Sequence, residues 1–345
     1  MQAAVSKGKG SGRSLAVDLL KIGMAVMVVG IHANPFQPLG RTANLLTGEG
    51  LYRIAVPAFF VISGYFFYGA AQSGRVLPYV RRTATLFVLW MLIYIPISWR
   101  HYTGFWNMTV PGFWRELFLG YWHLWYLSGL TLAAALLGLM RGWSTLALLC
   151  VAAASYALGV GISWSVAWGL VDPWVSPHLH RNGLTLGLPF LILGYLMRRH
   201  DLPANVSWQS ALWPALIGVA LVLAESLALA FAAPHGVGHD NLVALALAAP
   251  AVVLVALTIP GGASGPTLGL WSSGIYFTHI IPCALLFRFR EGCERAFDAG
   301  TADAACRAVF SVTTLSTPLI FALTLAGALT LTWAILRSGL SSRLL

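Results

Sequence analysis

Apolar runs long enough to cross a lipid bilayer follow one another along this chain from Leu15 to Leu336, and the first of them, Leu15 to Pro35, is not wholly apolar. It carries Asp18, Lys21 and His32. A hydrocarbon core about 30 Å thick is crossed by about 20 helical residues, and within it an uninterrupted apolar run satisfies its backbone as a helix. At about 100° per residue, the eleven steps from Lys21 to His32 return to within about 20° of the same direction, and Asp18 falls on that face too. The three side chains therefore form a polar stripe that rises roughly 16 Å from Lys21 to His32. Ionisable groups are costly against lipid, so the stripe faces protein or water.

Composition narrows the class. Of 345 residues, 58% are hydrophobic and 9% are charged, and the mean hydropathy is +0.76. That balance excludes an ordinary soluble domain. The sequence predicts an all-α, polytopic integral membrane protein with about ten transmembrane helices, near 15–34, 51–71, 83–99, 123–140, 144–162, 182–197, 211–232, 241–259, 267–287 and 309–336. One membrane domain, 15–337, is expected between an N-terminal tail, 1–14, and a C-terminal tail, 338–345. The formal net charge of +10 lies mostly in the segments between spans, so nucleic acid is not an expected partner. With ten alternating spans, Lys7, Lys9, Arg13, Arg75, Arg81, Arg82, Arg141, Arg198, Arg199, Arg337 and Arg343 share one side. The positive-inside rule makes that side cytoplasmic and places both termini there.

The opposite side carries the chemically richer segments. Trp99 to Trp122 holds Arg115 and Glu116 among aromatics and reads as an interfacial loop. Ser163 to Arg181 holds Asp172, His178 and His180. Arg288 to Arg307 holds Cys293 and Cys306, candidates for a disulfide if that loop faces an oxidising compartment. Cys150 and Cys283 read as small packing residues inside spans. Metal-ligand spacings such as HExxH or CxxC and phosphate loops of the GxxxxGKS type do not occur, so no metal is expected.

Four constellations carry possible chemistry, each beside a structural reading. A neutral imidazole at His32 can take a proton from a hydroxyl, or it can be a buried histidine bonded to a neighbouring helix. Asp18 and Lys21 can serve the same site or form a simple i,i+3 ion pair. Pro57, Ser63 and Gly64 interrupt an aromatic-rich span, Arg53 to Tyr68, either to line a cavity or to pack closely against another helix. Arg75, Arg81 and Arg82 satisfy the positive-inside rule, yet Arg81 and Arg82 beside the expected start of the third span also suit an anion. His123, Trp125 and Tyr126 in HLWYLSG and His279 in GIYFTHIIP complete the set, with Trp122, Trp125 and Tyr126 read either as interfacial belt aromatics or as a wall for a sugar or a thin acyl carrier. Glu225 stands alone in the seventh span without an evident partner.

Taken in order, these motifs resemble membrane-bound acyltransferase family 3, which includes bacterial O-acetyltransferases of surface polysaccharides and periplasmic glucans. A basic residue, ten intervening positions and a histidine match Lys21 and His32; FFVISGYFF, with Ser63 and Tyr65, matches the second-span signature. Arg81 and Arg82 match a basic pair, HLWYL a tryptophan motif, and IYFTH the late motif ending in His279. Thr85 replaces a third arginine common in the family, and Ser128 and Gly129 stand where many members carry a glutamate.

The resemblance implies a bacterial inner-membrane enzyme using acetyl-CoA or another acyl-CoA, with His32, Lys21 and Asp18 catalytic and Arg81, Arg82 and Arg75 on the donor. Ser63, Tyr65, His123, Trp125, Tyr126 and His279 would contact substrate, with membrane lipids around them. The implied acceptor is a carbohydrate, lipid-linked or a periplasmic glucan. The rival reading from another class is a transporter or flippase for a glycan or its lipid carrier. It expects paired halves with matching interruptions, and the sequence shows none.

Overall fold

The computed structural model describes residues 14–101, 119–171, 179–233, 240–262, 264–265, 267–301, 306 and 317–345. The expectations at Arg115, Glu116, Asp172 and His178 lie outside the described residues. Twelve α-helices of seven residues or more organise the described residues: α1 Leu15–Ala33, α2 Arg41–Thr47, α3 Ala55–Gln72, α4 Val76–His101, α5 Trp125–Met140, α6 Thr145–Ala167, α7 Leu188–Arg199, α8 Trp208–Ala232, α9 Leu245–Thr258, α10 Leu268–Thr278, α11 Ile280–Asp298 and α12 Thr317–Arg337. Among the described residues, eight helical stretches are long and apolar enough to cross a membrane. The expected spans 182–197 and 241–259 correspond to shorter pieces, a π-turn at Gly183–Gly187 continued by α7, and α9. The chain is thus an all-α polytopic membrane protein.

Helix α1 begins where Ser14 accepts a hydrogen bond from the Val17 amide and ends at Asn34, whose left-handed backbone (φ 49°) returns its N–H to Gly30. His32 therefore occupies the last turn of α1, with Asp18 and Lys21 near its first. Helix α1 packs chiefly against α10, and also against α12 and α3.

Helix α3 runs unbroken from Ala55 to Gln72, contrary to the interruption expected at Pro57, Ser63 and Gly64. Pro57 lies in its first turn, where the amide has no intrahelical partner to lose. Gly64 serves packing: a Cβ there would sit 2.0 Å from the Leu191 carbonyl oxygen, and one at Gly194 would sit 1.9 Å from that of Val61. One glycine on α3 and one on α7 let these helices touch backbone to backbone.

Three further expectations are corrected. Helix α4 starts at Val76, so Arg81 and Arg82 lie in its second turn rather than beside its N-terminus. Helix α11 continues to Asp298, so the segment read as a polar loop opens helical; Cys293 on that helix is disulfide-bonded to Cys306. Glu225 is not partnerless: its carboxylate accepts from the amides of Val243 (2.7 Å) and Ala244 (2.8 Å), just before α9.

Hydrogen bonds tie one end of the bundle together. Tyr195 donates to the Arg141 carbonyl, Arg199 to that of Trp143, and Gln72 to the Tyr195 hydroxyl. Arg141, Arg198 and Arg199 thus gather near the end of α3, where Arg75 follows. At the other end, the segments entering α3, the π-turn and α9 converge beside the last turn of α1.

Candidate active site

Two cavities of about 260 Å³ each lie along α1, neither of them enclosed, and they share Tyr276 as a wall. Towards the Leu15 end, Lys21, Ser63, Tyr79, Tyr126, Ser272 and Ser273 line the first, with Phe59 and Phe277. Lys21 stands 3.6 Å from Asp18 and reaches the Gly269 carbonyl at 3.4 Å; Asp18 is buried and accepts from the Ser264 hydroxyl. The ion-pair reading of Asp18 and Lys21 matches this geometry, and only Lys21 of the two reaches the cavity. Gly269 makes room for the pair, since a Cβ there would lie 2.8 Å from Asp18 Oδ1. Ser63 and Tyr126 bond through their hydroxyls at 3.1 Å. The buried Ser272 hydroxyl has no hydrogen-bond partner among the described residues.

The second cavity is lined by His32, Arg53, Trp122, His123, Trp125, Arg181, Asp240 and Tyr276, with aliphatic side chains of α1 and α3. The His32 ring is stacked on Trp122, with centroids 5.9 Å apart and planes within 6°. Trp122 holds this place from a left-handed backbone (φ 47°), which costs a non-glycine residue about 1–3 kcal/mol. Behind His32 stands His279, 5.3 Å away between centroids, and His123 follows at 4.9 Å from His279. The Nδ1 of His279 donates to the Tyr276 carbonyl at 2.7 Å, which fixes the neutral tautomer with Nε2 as an acceptor. That Nε2 is buried without a partner among the described residues. His32 itself makes no hydrogen bond there, and it is partly exposed to the cavity.

An aromatic partition separates the cavities. Tyr276 packs 5.8 Å from Phe59 and 5.4 Å from Tyr126, and its hydroxyl donates to the His123 carbonyl at 2.8 Å. The same ring thus faces Lys21 and Ser63 on one side and His32 on the other.

A buried ion cluster closes the flank of the second cavity. Asp240 meets Arg53, Arg181 (3.4 Å) and His180 (3.5 Å), while Arg53 also binds Glu49 at 2.6 Å. Burial alone would push the Asp240 carboxyl up, but Arg181 and Arg53 hold it well below the usual carboxylate range. The π-turn fixes Arg181: the Asn182 side chain accepts from the amides of Leu184 and Thr185, and Gly183 packs on Gly129 so closely that a Cβ would meet its carbonyl at 2.6 Å.

The structure brings Lys21, Ser63 and Tyr126 to one cavity and His32, His123 and Trp125 to the other. His279 is fully buried behind His32 and lines neither cavity. Tyr65 is elsewhere: its hydroxyl accepts from Arg198 at 3.2 Å, and the guanidinium lies 5.4 Å from its ring. Arg75 bonds Ser73 at an exposed turn, and Arg81 and Arg82 are exposed on α4, one turn from Tyr79 for Arg82. Sequence reasoning passed over Arg53, Arg181 and Asp240 as site residues. Their only local signal was a charge at the entrance of each of three spans.

The chain is similar to a serine/alanine racemase of Enterococcus gallinarum, 26% identical over 67% of this chain and 35% of that protein. It is also similar to an amino-acid racemase of Enterococcus faecalis, 33% identical over 25% of this chain and 13% of that protein. The chain spans about a third or less of these relatives' lengths. No solved structure matches it. The family described as an acyltransferase domain matches residues 14–337, nearly the whole chain. The protein therefore belongs to acyltransferase family 3, a family of membrane acyltransferases whose domain here embraces both cavities and the helices that form them.

Proposed function

We propose that the protein is an O-acyltransferase that moves an acyl group, acetyl by family likeness, from cytoplasmic acyl-CoA to a hydroxyl of a cell-surface or periplasmic carbohydrate. The observation that supports this most is the pair of cavities meeting at Tyr276. One offers hydroxyls and a single ammonium to a thin donor arm; the other offers a histidine between aromatic rings to an alcohol.

In this reading the nucleotide phosphates of acyl-CoA lie near Arg81 and Arg82, and the pantetheine arm passes Lys21 and the serines towards Tyr276. The acceptor enters from the other end and stacks on Trp122 or Trp125. Its hydroxyl oxygen attacks the thioester carbonyl as His32 takes the hydroxyl proton, the C–S bond breaks, and the thiolate leaves to be protonated as free CoA. A thiolate is a good leaving group, so one base and correct positioning suffice. Lys21 and its partner Asp18 hold the donor, and His279 holds the His32 ring. This makes His32 the catalytic residue, Lys21 a donor-binding one, and Asp18 and His279 positioning residues.

The racemase names describe proteins that this chain covers only in part, and the reading takes no racemisation from them. Against a transporter for glycans, the aromatic partition would have to open to the width of a sugar. Labelled acetyl-CoA and membranes containing His32→Ala protein test the reading: transfer should fall at least about a hundredfold. Near-normal transfer by folded, inserted variant removes His32 from the chemistry, and glycan movement without acetylation would favour the transporter.

A further inference from the structure

Two guanidiniums, Arg53 and Arg181, and one carboxylate, Asp240, line the His32 cavity, and Glu49 behind Arg53 brings the cluster to two charges of each sign. The two arginines differ. Arg53 is 11% exposed and is occupied by Asp240 and Glu49. Arg181 is 33% exposed, gives Asp240 one contact of 3.4 Å, and lies with its guanidinium carbon 5.7 Å from the Trp125 ring centre. A charge-assisted pair is normally about 2.7–2.9 Å long, and Asp240 is already engaged by Arg53 and His180. Arg181 makes the longer of the two arginine contacts to Asp240, and among the described residues most of its five donors are unspent. Its backbone is nevertheless anchored, by the Asn182 cap and the Gly183–Gly129 contact. A fixed, partly open guanidinium against an aromatic face, with donors to spare at the cavity wall, suits an anion.

We propose that Arg181, backed by Trp125, binds an anionic group of the acceptor, a carboxylate or a phosphate, and so presents a hydroxyl of the same molecule to His32. The acyl-transfer reading is needed for the hydroxyl; the anion site stands without it. The preferred acceptor is then an acidic sugar or a phosphorylated one rather than a neutral sugar.

Three probes separate the possibilities on the full chain in nanodiscs: methyl glucoside, methyl glucuronide and glucose 1-phosphate, titrated by ligand-observed NMR. A guanidinium–anion hydrogen bond predicts that at least one anionic probe binds about tenfold or more tightly than the neutral glucoside. Preference for the glucuronide alone identifies a carboxylate, and for the phosphate alone a phosphoryl group. Arg181→Gln is expected to reduce the preference to about twofold or less, with Arg181→Lys keeping part of it. If Arg181→Gln does not fold, the wild-type preference should still weaken as salt is raised. Equal binding of the three probes, binding of none, or full preference in folded Arg181→Gln overturns the proposal. An intact preference with no acetyl transfer to any probe would remove the reaction and leave the anion site standing.

Discussion

The two cavities on either side of Tyr276 have the same volume and opposite chemistry. The one near Lys21 is furnished with serine and tyrosine hydroxyls and one ammonium tied to Asp18. The one near His32 has imidazole, indole and a guanidinium–carboxylate cluster, and lacks a lining serine or threonine among the described residues. Hydroxyls arranged along a narrow passage suit the amides of a thin flexible arm. Flat indoles beside a charged cluster suit a ring that must be oriented before it reacts. A single polytopic domain thus holds two cavities of different polarity, and an aromatic ring divides them.

Several substitutions break or sharpen that contrast. The largest effect should come from His32→Ala, which in the proposed mechanism removes the proton acceptor while both cavities persist: kcat for transfer falls at least about a hundredfold, with little change in donor KM. Next is Asp240→Asn. It leaves the buried Arg53 with Glu49 alone and the partly exposed Arg181 without a carboxylate, so unfolding measured by thermal scan should show a loss of about 1–3 kcal/mol. The pH dependence has a matching sign. Because the folded carboxyl titrates below its unfolded value, its contribution is complete at neutral pH and disappears as the pH falls below about 4.

Smaller effects divide the cavities kinetically. Lys21→Met should raise the KM for acetyl-CoA about tenfold and leave that for the acceptor, whereas Trp125→Ala should do the reverse. Steady-state kinetics with both substrates varied checks the split; a shift of both KM values in both variants would merge the two sites into one. Arg82→Ala should be mildest, raising donor KM by less than tenfold and only at low salt, because the side chain is exposed.

The Leu15–Ala33 stripe was legible because its three ionisable groups repeat at helical spacing in an apolar segment, and that pattern is enough to orient a helix. The cavity lining beside it was not. Arg53 and Asp240 are 187 residues apart in the chain and Arg181 and Asp240 are 59 apart, so no local period links them. Gly64 shows the opposite case: its packing reading was available from small-residue spacing, and α7 supplies the backbone it touches. Tyr65, adjacent to Gly64 in a motif, turns to Arg198 instead of the cavity, because neighbours on a helix point about 100° apart. Trp122 was legible as a belt or wall aromatic, but its stacking on His32 was not, since that position depends on a left-handed backbone that favours other residue types.

In the proposed mechanism, donor and acceptor reach Tyr276 from opposite ends of the bundle. Proteoliposomes of uniform protein orientation, with labelled acetyl-CoA on one side of the membrane and an acceptor glycan sealed on the other, test it most directly. The account predicts acetylated glycan in the compartment that never contained acetyl-CoA, and none with His32→Ala. Product formed only when both substrates share a compartment would contradict it.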